Sequence, residues 1–323
     1  MLRMIFVRIL LFIVALFFLS IAIFFALRVL PGDVAQVMAG LNAPSGKVEQ
    51  LRAELGLDKP LWVQYLSWLT SVLRGNFGVS MLTGKSVTSM IASRAAITFP
   101  LILLGLIIAL AIGIPMGCWQ VMRIGRLAQS FARFVALTAG CVPALWGGML
   151  IILLLGKGIG IIGILPTQGF PTDGWQDFPS CFLSLILPAL TVGIIVGSSF
   201  MRYTAAVLTD IMQSEVSSQA MACGMTRKQV IWKVALRLAM PQLVSVIGLT
   251  FAHMVMGVMV IENLFSLPGM GMGLVRDVGL RDLILVQSEL FMLASFFLII
   301  GFAIDISHRL LDSRFANNQK VSE

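Results

Sequence analysis

The stretch Phe99-Pro-Leu-Ile-Leu-Leu-Gly-Leu-Ile-Ile-Ala-Leu-Ala-Ile-Gly-Ile-Pro-Met-Gly-Cys-Trp-Gln-Val121 contains no charged residue. It is close to the ~20 residues that a helix needs to cross ~30 Å of hydrocarbon. Inside lipid, backbone groups must be paired within their own segment, so a helix is the expected form. Outward from this run, the same pattern recurs at about Met4–Leu30, Phe134–Leu155, Phe182–Tyr203, Leu243–Asn263 and Ser288–Arg309. The fold class read from these runs is all-α: a polytopic transmembrane helical bundle of about six spans. The first run is too long for the apolar core of a signal peptide and lacks a persuasive cleavage site, so it is expected to stay as a span.

Composition agrees. Of 323 residues, 58% are hydrophobic and only 12% are charged, against roughly 25% charged in soluble domains. The net charge of +8 comes from 23 Lys and Arg against 15 Asp and Glu. Basic residues at span ends set topology, which accounts for the charge without nucleic acid as a partner. With the N-terminus in the cytoplasm, the inside segments hold Arg3, Arg8, Arg123, Arg126, Arg133, Arg202, Arg227, Lys228, Lys233, Arg237, Arg309, Arg314 and Lys320. The two short outside loops hold only Lys157, Arg276 and Arg281. This asymmetry places both termini inside. Cys118, Cys141, Cys181 and Cys223 match no metal or redox spacing.

The long loop after the first span has helical periodicity. Val48–Leu55 reads as a short helix ending at Gly56. Pro60 opens a second, in which Trp62, Leu66, Leu69 and Leu73 recur at helical spacing until Gly75. Trp62, Tyr65 and Trp68 suit a membrane–water interface. A third short helix is expected over Val87–Arg94. The organisation is therefore a first transmembrane helix at 1–30, a small extracytoplasmic helical cap at 31–95, a five-helix core at 96–312 and a cytoplasmic tail at 313–323.

Between the fourth and fifth spans, residues 205–240 are amphipathic and expected on the cytoplasmic face. Gly224 is a helix-ending residue. Thr226-Arg227-Lys228-Gln229 reads as a capping box, with Thr226 capping the next helix and Gln229 reaching back. The prediction is helix, tight turn, helix. Pro241 follows near the start of the fifth span, a position that kinks or opens a helix.

The chain lacks a phosphate-binding loop. Between Gly40 and Gly46-Lys47 there is one residue too many, with Val48 in place of Ser or Thr, and Val79 stands where Gly84-Lys85-Ser86 needs a preceding glycine. Two histidines, His253 and His308, lie far apart and form no zinc motif. No nucleophile elbow is present. His253, inside the fifth span, reads either as a substrate or proton site or as a helix–helix hydrogen bond. A charge at mid-membrane costs roughly 2.5–3.5 kcal/mol. Glu262 and Glu289 are placed near the outer mouth, where water solvates them. Asp305 is placed within helical reach of His308 and Arg309.

The cytoplasmic turn, with Ala220, Ala222 and Gly224 followed by Val230-Ile231 and Ala235-Leu236-Arg237, resembles the coupling motif of importer permeases of the ATP-binding-cassette class. Further segments are similar to the dipeptide, oligopeptide and nickel permease family, in its first subunit type. These are Pro31-Gly32-Asp33, Leu55-Gly56-Leu57-Asp58-Lys59-Pro60 with Gln64-Tyr65-Leu66, and Gly75-Asn76-Phe77-Gly78-Val79-Ser80. Near the end come Glu262-Asn263-Leu264-Phe265-Ser266-Leu267-Pro268-Gly269-Met270-Gly271 and Leu310-Leu311-Asp312-Ser313-Arg314. The resemblance runs in order over nearly the whole chain. It departs where the family has Tyr, Arg and Lys in the coupling helix and this chain has Val216, Met221 and Cys223. Val234 replaces a usual His and Leu238 a usual Asn, and Met240-Pro241 is a Leu-Pro shifted by one residue.

The resemblance implies a permease subunit of an ATP-driven importer for peptides or a related small solute such as a nickel complex, in a bacterial inner membrane. Its implied partners are a second permease, two cytoplasmic ATPases that hydrolyse the ATP, an extracytoplasmic binding protein and the bilayer. The chain itself binds no cofactor or metal and is not an enzyme. The implied ATPase contact is Glu215, Ala220, Ala222, Gly224, Met225, Thr226, Arg227 and Lys228. Candidates for the translocation path are Gly105, Gly113, Gly248, His253, Gly257 and Glu262, since helices that switch between packings need small residues at their contacts. Three other classes are weighed. A stand-alone transporter or channel needs coupling charges or an inverted repeat, and the chain shows few charges and no repeat. A membrane enzyme needs a clustered nucleophile or metal site. A transport-inactive scaffold stays open because the coupling residues are altered.

Overall fold

The computed structural model describes residues 2–29, 35, 39, 44–54, 56–122 and 126–311. Pro31-Gly32-Asp33, Gly40, Leu55, Arg123 and the tail from Asp312 lie outside the described residues, as do the side chains of His308 and Arg309. Among the described residues the α-helices are, in order, α1 Leu2–Val29, α2 Ser45–Glu54, α3 Leu61–Leu73, α4 Val87–Met122, α5 Arg126–Cys141, α6 Ala144–Leu155, α7 Phe178–Met212, α8 Glu215–Ala222, α9 Arg227–Val230, α10 Leu236–Leu264, α11 Met270–Gly279 and α12 Leu283–Leu311. A single π turn, Ile231–Ala235, joins α9 to α10. Among the described residues, β pairing is limited to two isolated bridges, Val79 with Ser86 and Gly156 with Leu165.

Among the described residues, five helices are long and apolar enough to cross a membrane: Phe6–Arg28, Val87–Met122, Phe178–Met212, Arg227–Leu264 and Leu283–Ser307. The expected span at Phe134–Leu155 is instead two helices, broken between Cys141 and Ala144. Pro143 is the reason. It disfavours helical backbone at the residue before it, and its own extended conformation (φ −58°, ψ 144°) turns the chain. The 12 residues of α6 reach only ~18 Å at 1.5 Å per residue. A second correction concerns Val87–Arg94, which is not a separate helix but the first turns of the 36-residue α4. No glycine interrupts Arg94-Ala-Ala-Ile-Thr98, and Pro100 is carried inside the helix.

The chain divides into two compact units. One comprises the residues up to Thr98 together with Pro268–Ile299, and the other Phe99–Leu267 with the residues after Ile300. The first unit therefore groups α1 and the expected cap with a segment far along the chain. Within it, α3 packs on the last turns of α1. Ser20 and Tyr65 share a hydrogen bond of 2.8 Å, and the Phe24 ring meets Tyr65 at 5.5 Å and Trp68 at 5.9 Å. Trp68 in turn meets Phe291 of α12, edge to face. Asp282 holds the loop before α4 by accepting from the Ser80 hydroxyl at 2.5 Å, and it also accepts from Leu285 N at the start of α12. A carboxylate there suits the free N–H groups of a helix start.

In the second unit, α7 is the central helix. Gly147 of α6 faces Ile195, and Gly148 faces Leu264 and Thr191. On α5, Gly140 leaves room for the Arg202 guanidinium, which donates to Ala136 O at 3.4 Å. A buried apolar cluster of Cys118, Val121, Leu208, Met212, Val230, Ile231, Ala235 and Leu243 ties the ends of α4 and α7 to the π turn and α10.

Candidate functional site

The helix–turn–helix expected around Gly224 is present, and its local chemistry explains it. After α7 ends at Met212, Ser214 is extended and α8 starts at Glu215, an acidic residue in a first turn where it complements the helix dipole. Ser217 is fully buried and donates to Ile211 O at 2.7 Å, pinning α8 to the end of α7. Gly224 takes φ +86°, a left-handed value. Gly224 N donates to Met221 O at 3.0 Å and Met225 N to Ala220 O at 3.2 Å. That pair of bonds is a Schellman motif, which a glycine at this position makes possible without steric cost. Ala220 and Met225 close it by packing together against the buried cluster.

Thr226 then starts α9 with a complete capping box. Gln229 N donates to Thr226 Oγ1 at 3.3 Å, and Thr226 N donates to Gln229 Oε1 at 2.9 Å. Arg227 reaches across to donate to Val121 O at 3.1 Å, at the end of α4. All eight residues of the expected ATPase contact thus lie in one hairpin. Ala220 and Met225 are its half-buried base, and Glu215, Ala222, Gly224, Thr226, Arg227 and Lys228 are exposed on it. Val216 and Met221 add exposed apolar surface, 50% and 38% accessible, and Cys223 is exposed at the tip.

The six path candidates do not form one group. Gly105 and Gly113 are buried where α4 meets α7. A Cβ on Gly113 would stand 2.5 Å from Phe200 Cβ and 2.7 Å from Gly197 O, and one on Gly105 would stand 3.2 Å from Val192. Gly248 faces Ile304. Glu262 is fully buried rather than solvated, which corrects the sequence reading of a carboxylate at an open mouth. Only His253 and Gly257 lie on an open face of α10, alongside Leu249, Met256 and Val260. The His253 ring bonds Leu249 O of its own helix through Nδ1 at 2.9 Å.

Sequence comparison places this architecture. Residues 109–317 match the family of binding-protein-dependent transport system inner membrane components, and residues 1–102 match the N-terminal region of the same components. The chain belongs to this permease family. It is 31% identical to the glutathione transport system permease protein GsiC of Escherichia coli (strain K12) over 97% of its length and 98% of the relative's. The same protein of Salmonella typhimurium (strain LT2) is 32% identical over the same shares. The chain is therefore the permease component of a binding-protein-dependent importer of the ATP-binding-cassette class, an inner-membrane protein of several apolar helices.

Two features of this permease escaped the sequence reading. One is the continuation of the α4–α7 contact. Gly105, Ala109, Gly113 and Gly117 recur every fourth residue on α4, and Gly193 and Gly197 do so on α7. A Cβ on Gly117 would stand 2.6 Å from Thr204 Cβ, and one on Gly193 would stand 2.5 Å from Ile108. The small-xxx-small spacing was visible in the sequence and identifies a close helix contact.

The other is a buried ionic cluster in the unit formed by residues up to Thr98 and 268–299. Arg94 of α4 pairs with Asp277 of α11 at 2.5 Å and with Glu289 of α12. Glu289 is fully buried, so its placement at a solvated mouth is also corrected. Arg276, 60% exposed, approaches Asp277 from the outside at 3.1 Å. Gly273 is required here, since a Cβ would lie 2.5 Å from the Arg94 guanidinium and 2.9 Å from Glu289 Oε1. The cluster fastens three helices by one guanidinium, whose Nη1 donates to both carboxylates in charge-assisted hydrogen bonds.

Proposed function

We propose that this permease forms half of a translocation path for a peptide or a comparably small solute, with both termini in the cytoplasm and a second permease as its partner. The relatives carry glutathione transport in their names, which supports a short peptide as the cargo class. The open face of α10 with Leu249, His253, Met256 and Val260 is the surface assigned to the path and the second permease. ATP is hydrolysed by two partner ATPases, and this chain contributes no catalytic group or cofactor. An extracytoplasmic binding protein delivers the solute.

The single observation that carries the coupling assignment is the hairpin Glu215–Lys228, exposed on its outer face and rigidly based. The Schellman motif and capping box stiffen the hairpin itself, and Ser217 and Arg227 tie it to the ends of α7 and α4. A push on such a knob is passed to α7 and α10 as a rigid displacement, which packed helices resolve by switching between discrete arrangements. The test is the double variant Met221→Glu with Cys223→Arg, both exposed and outside the buried cluster. Expressed with its operon partners, it should reach the membrane in normal amount yet lose the ATPases on purification and lose ATP-dependent peptide uptake. Retention of the ATPases with unchanged uptake would overturn the assignment.

A further inference from the structure

A cavity of about 390 Å³ lies in the unit formed by residues up to Thr98 and 268–299, within the ~300–1,000 Å³ range of small-ligand sites. Arg28 and Lys59 both line it. Among the described residues neither cation has an ion-pair partner. The Arg28 guanidinium is held over the Phe24 ring, 5.0 Å from its centre. Gln287 also lines the cavity. Gln287 is 8% exposed, and its Nε2 has no hydrogen-bond partner among the described residues. Gln64 also lines the cavity and is held in place by donating from Nε2 to Leu57 O at 3.0 Å and Lys59 O at 2.8 Å, while its buried Oε1 has no partner among the described residues and is free to accept from a ligand hydroxyl.

A buried amide donor left unsatisfied is costly, and natural interiors rarely keep one without a partner. A half-buried guanidinium and an exposed lysine, neither of them ion-paired among the described residues, line one cavity together with that buried donor, a combination that suits an anionic oxygen group. Depth decides its source. The apolar span of α1 ends at Arg28 and that of α12 begins at Leu283, so two span ends border the cavity. Beside it runs α3, whose exposed Leu61, Trp62 and Leu66 suit the headgroup layer of a membrane. We propose that this cavity binds the headgroup phosphate of an anionic phospholipid, with Arg28 and Lys59 as its charge partners and Gln287 as a donor. The apolar part of the lining, Phe24, Leu27 and Trp68 included, faces the glycerol and upper acyl carbons. This site is separate from the coupling hairpin and does not depend on the transport reading.

The test uses the full-length chain in nanodiscs of phosphatidylcholine doped with phosphatidylglycerol, with bound lipid counted by native mass spectrometry. The wild type should hold phosphatidylglycerol about tenfold more tightly than phosphatidylcholine, the effect of one or two charge-assisted hydrogen bonds. The Arg28→Gln, Lys59→Gln double variant should lose that preference. Gln287→Met, which keeps both charges and the side-chain volume, should reduce it severalfold. Lys157→Gln, which removes one positive charge at an exposed residue elsewhere, should leave it intact. Equal retention of the two lipids by the wild type would overturn the proposal, as would an unchanged preference in both the double variant and Gln287→Met. Displacement of bound lipid by soluble glycerol phosphate at equal concentration would also overturn it, in favour of a free-anion site.

Discussion

In the unit that holds Arg94, three charged side chains meet inside the protein and fasten α4, α11 and α12 to one another. In the unit that holds Gly113, α4 meets α7 through glycines, with backbone and Cβ atoms in direct contact. Both devices fix helices side by side, but they fail differently. An ion cluster is directional and depends on all its members, because removing one leaves the others charged and desolvated. A glycine contact is a shape and tolerates nothing larger. The first holds an arrangement by specific partners and the second by proximity, so a polar probe and a steric probe separate them.

The largest effect is expected from the steric probe. Gly113→Leu places a side chain where Phe200 and the Gly197 carbonyl already stand, and the loss of stability should exceed about 3 kcal/mol. Size-exclusion chromatography in detergent should show aggregated or absent protein. Gly257→Leu is the matched control, because no atom lies within 4 Å of a Cβ there. It should leave the melting temperature unchanged or slightly higher, since leucine is the better helix former. Equal damage from the two would end the distinction between packed and open glycines.

Next comes the polar probe. Arg94→Leu leaves Asp277 and Glu289 buried without their shared cation, at a cost of about 3–5 kcal/mol. Adding Asp277→Asn and Glu289→Gln to Arg94→Leu should recover much of that loss, because the charges disappear together. Thermal unfolding of the single and triple variants checks this, and a triple variant no more stable than Arg94→Leu would argue against a charge cluster. Smallest is Thr226→Ala, which removes one half of the capping box for about 1 kcal/mol. The local loss should appear as faster amide exchange in α9 with little change in global unfolding.

What could be read from the sequence follows the range of the interactions involved. The hairpin was legible because each of its signals is local: Gly224, Thr226 and Gln229 act on neighbours within a turn or two. The apolar runs were legible because lipid imposes a length. The split at Pro143 was misread for the same reason, since hydropathy over Phe134–Leu155 outweighed a single proline. Arg94 and its carboxylates stand 183 and 195 positions apart, and no periodicity links them. Glu289 and Glu262 were therefore given to water, the usual partner of a charge near a span end. The glycine stripe lay between these cases. Its spacing on α4 marks Gly105 and Gly113 as contact positions, but the facing helix, with Gly193 and Gly197, supplies the other half of the pattern.

The π turn at Ile231–Ala235 gives the hairpin a property that its caps do not. A regular helix keeps its side chains in phase at 3.6 residues per turn. A wide turn inserts one residue and retards every later position by about 100°. Both ends of this turn are buried, at Ile231 and Ala235, so the rotation is locked in the protein interior. The hairpin and α10 are consequently one rod with a fixed twist between handle and shaft. Deleting a single residue from the turn would preserve helicity and composition while dialling α10 round by roughly a quarter-circle relative to the hairpin. Such a deletion would separate the strength of the linkage from its gearing.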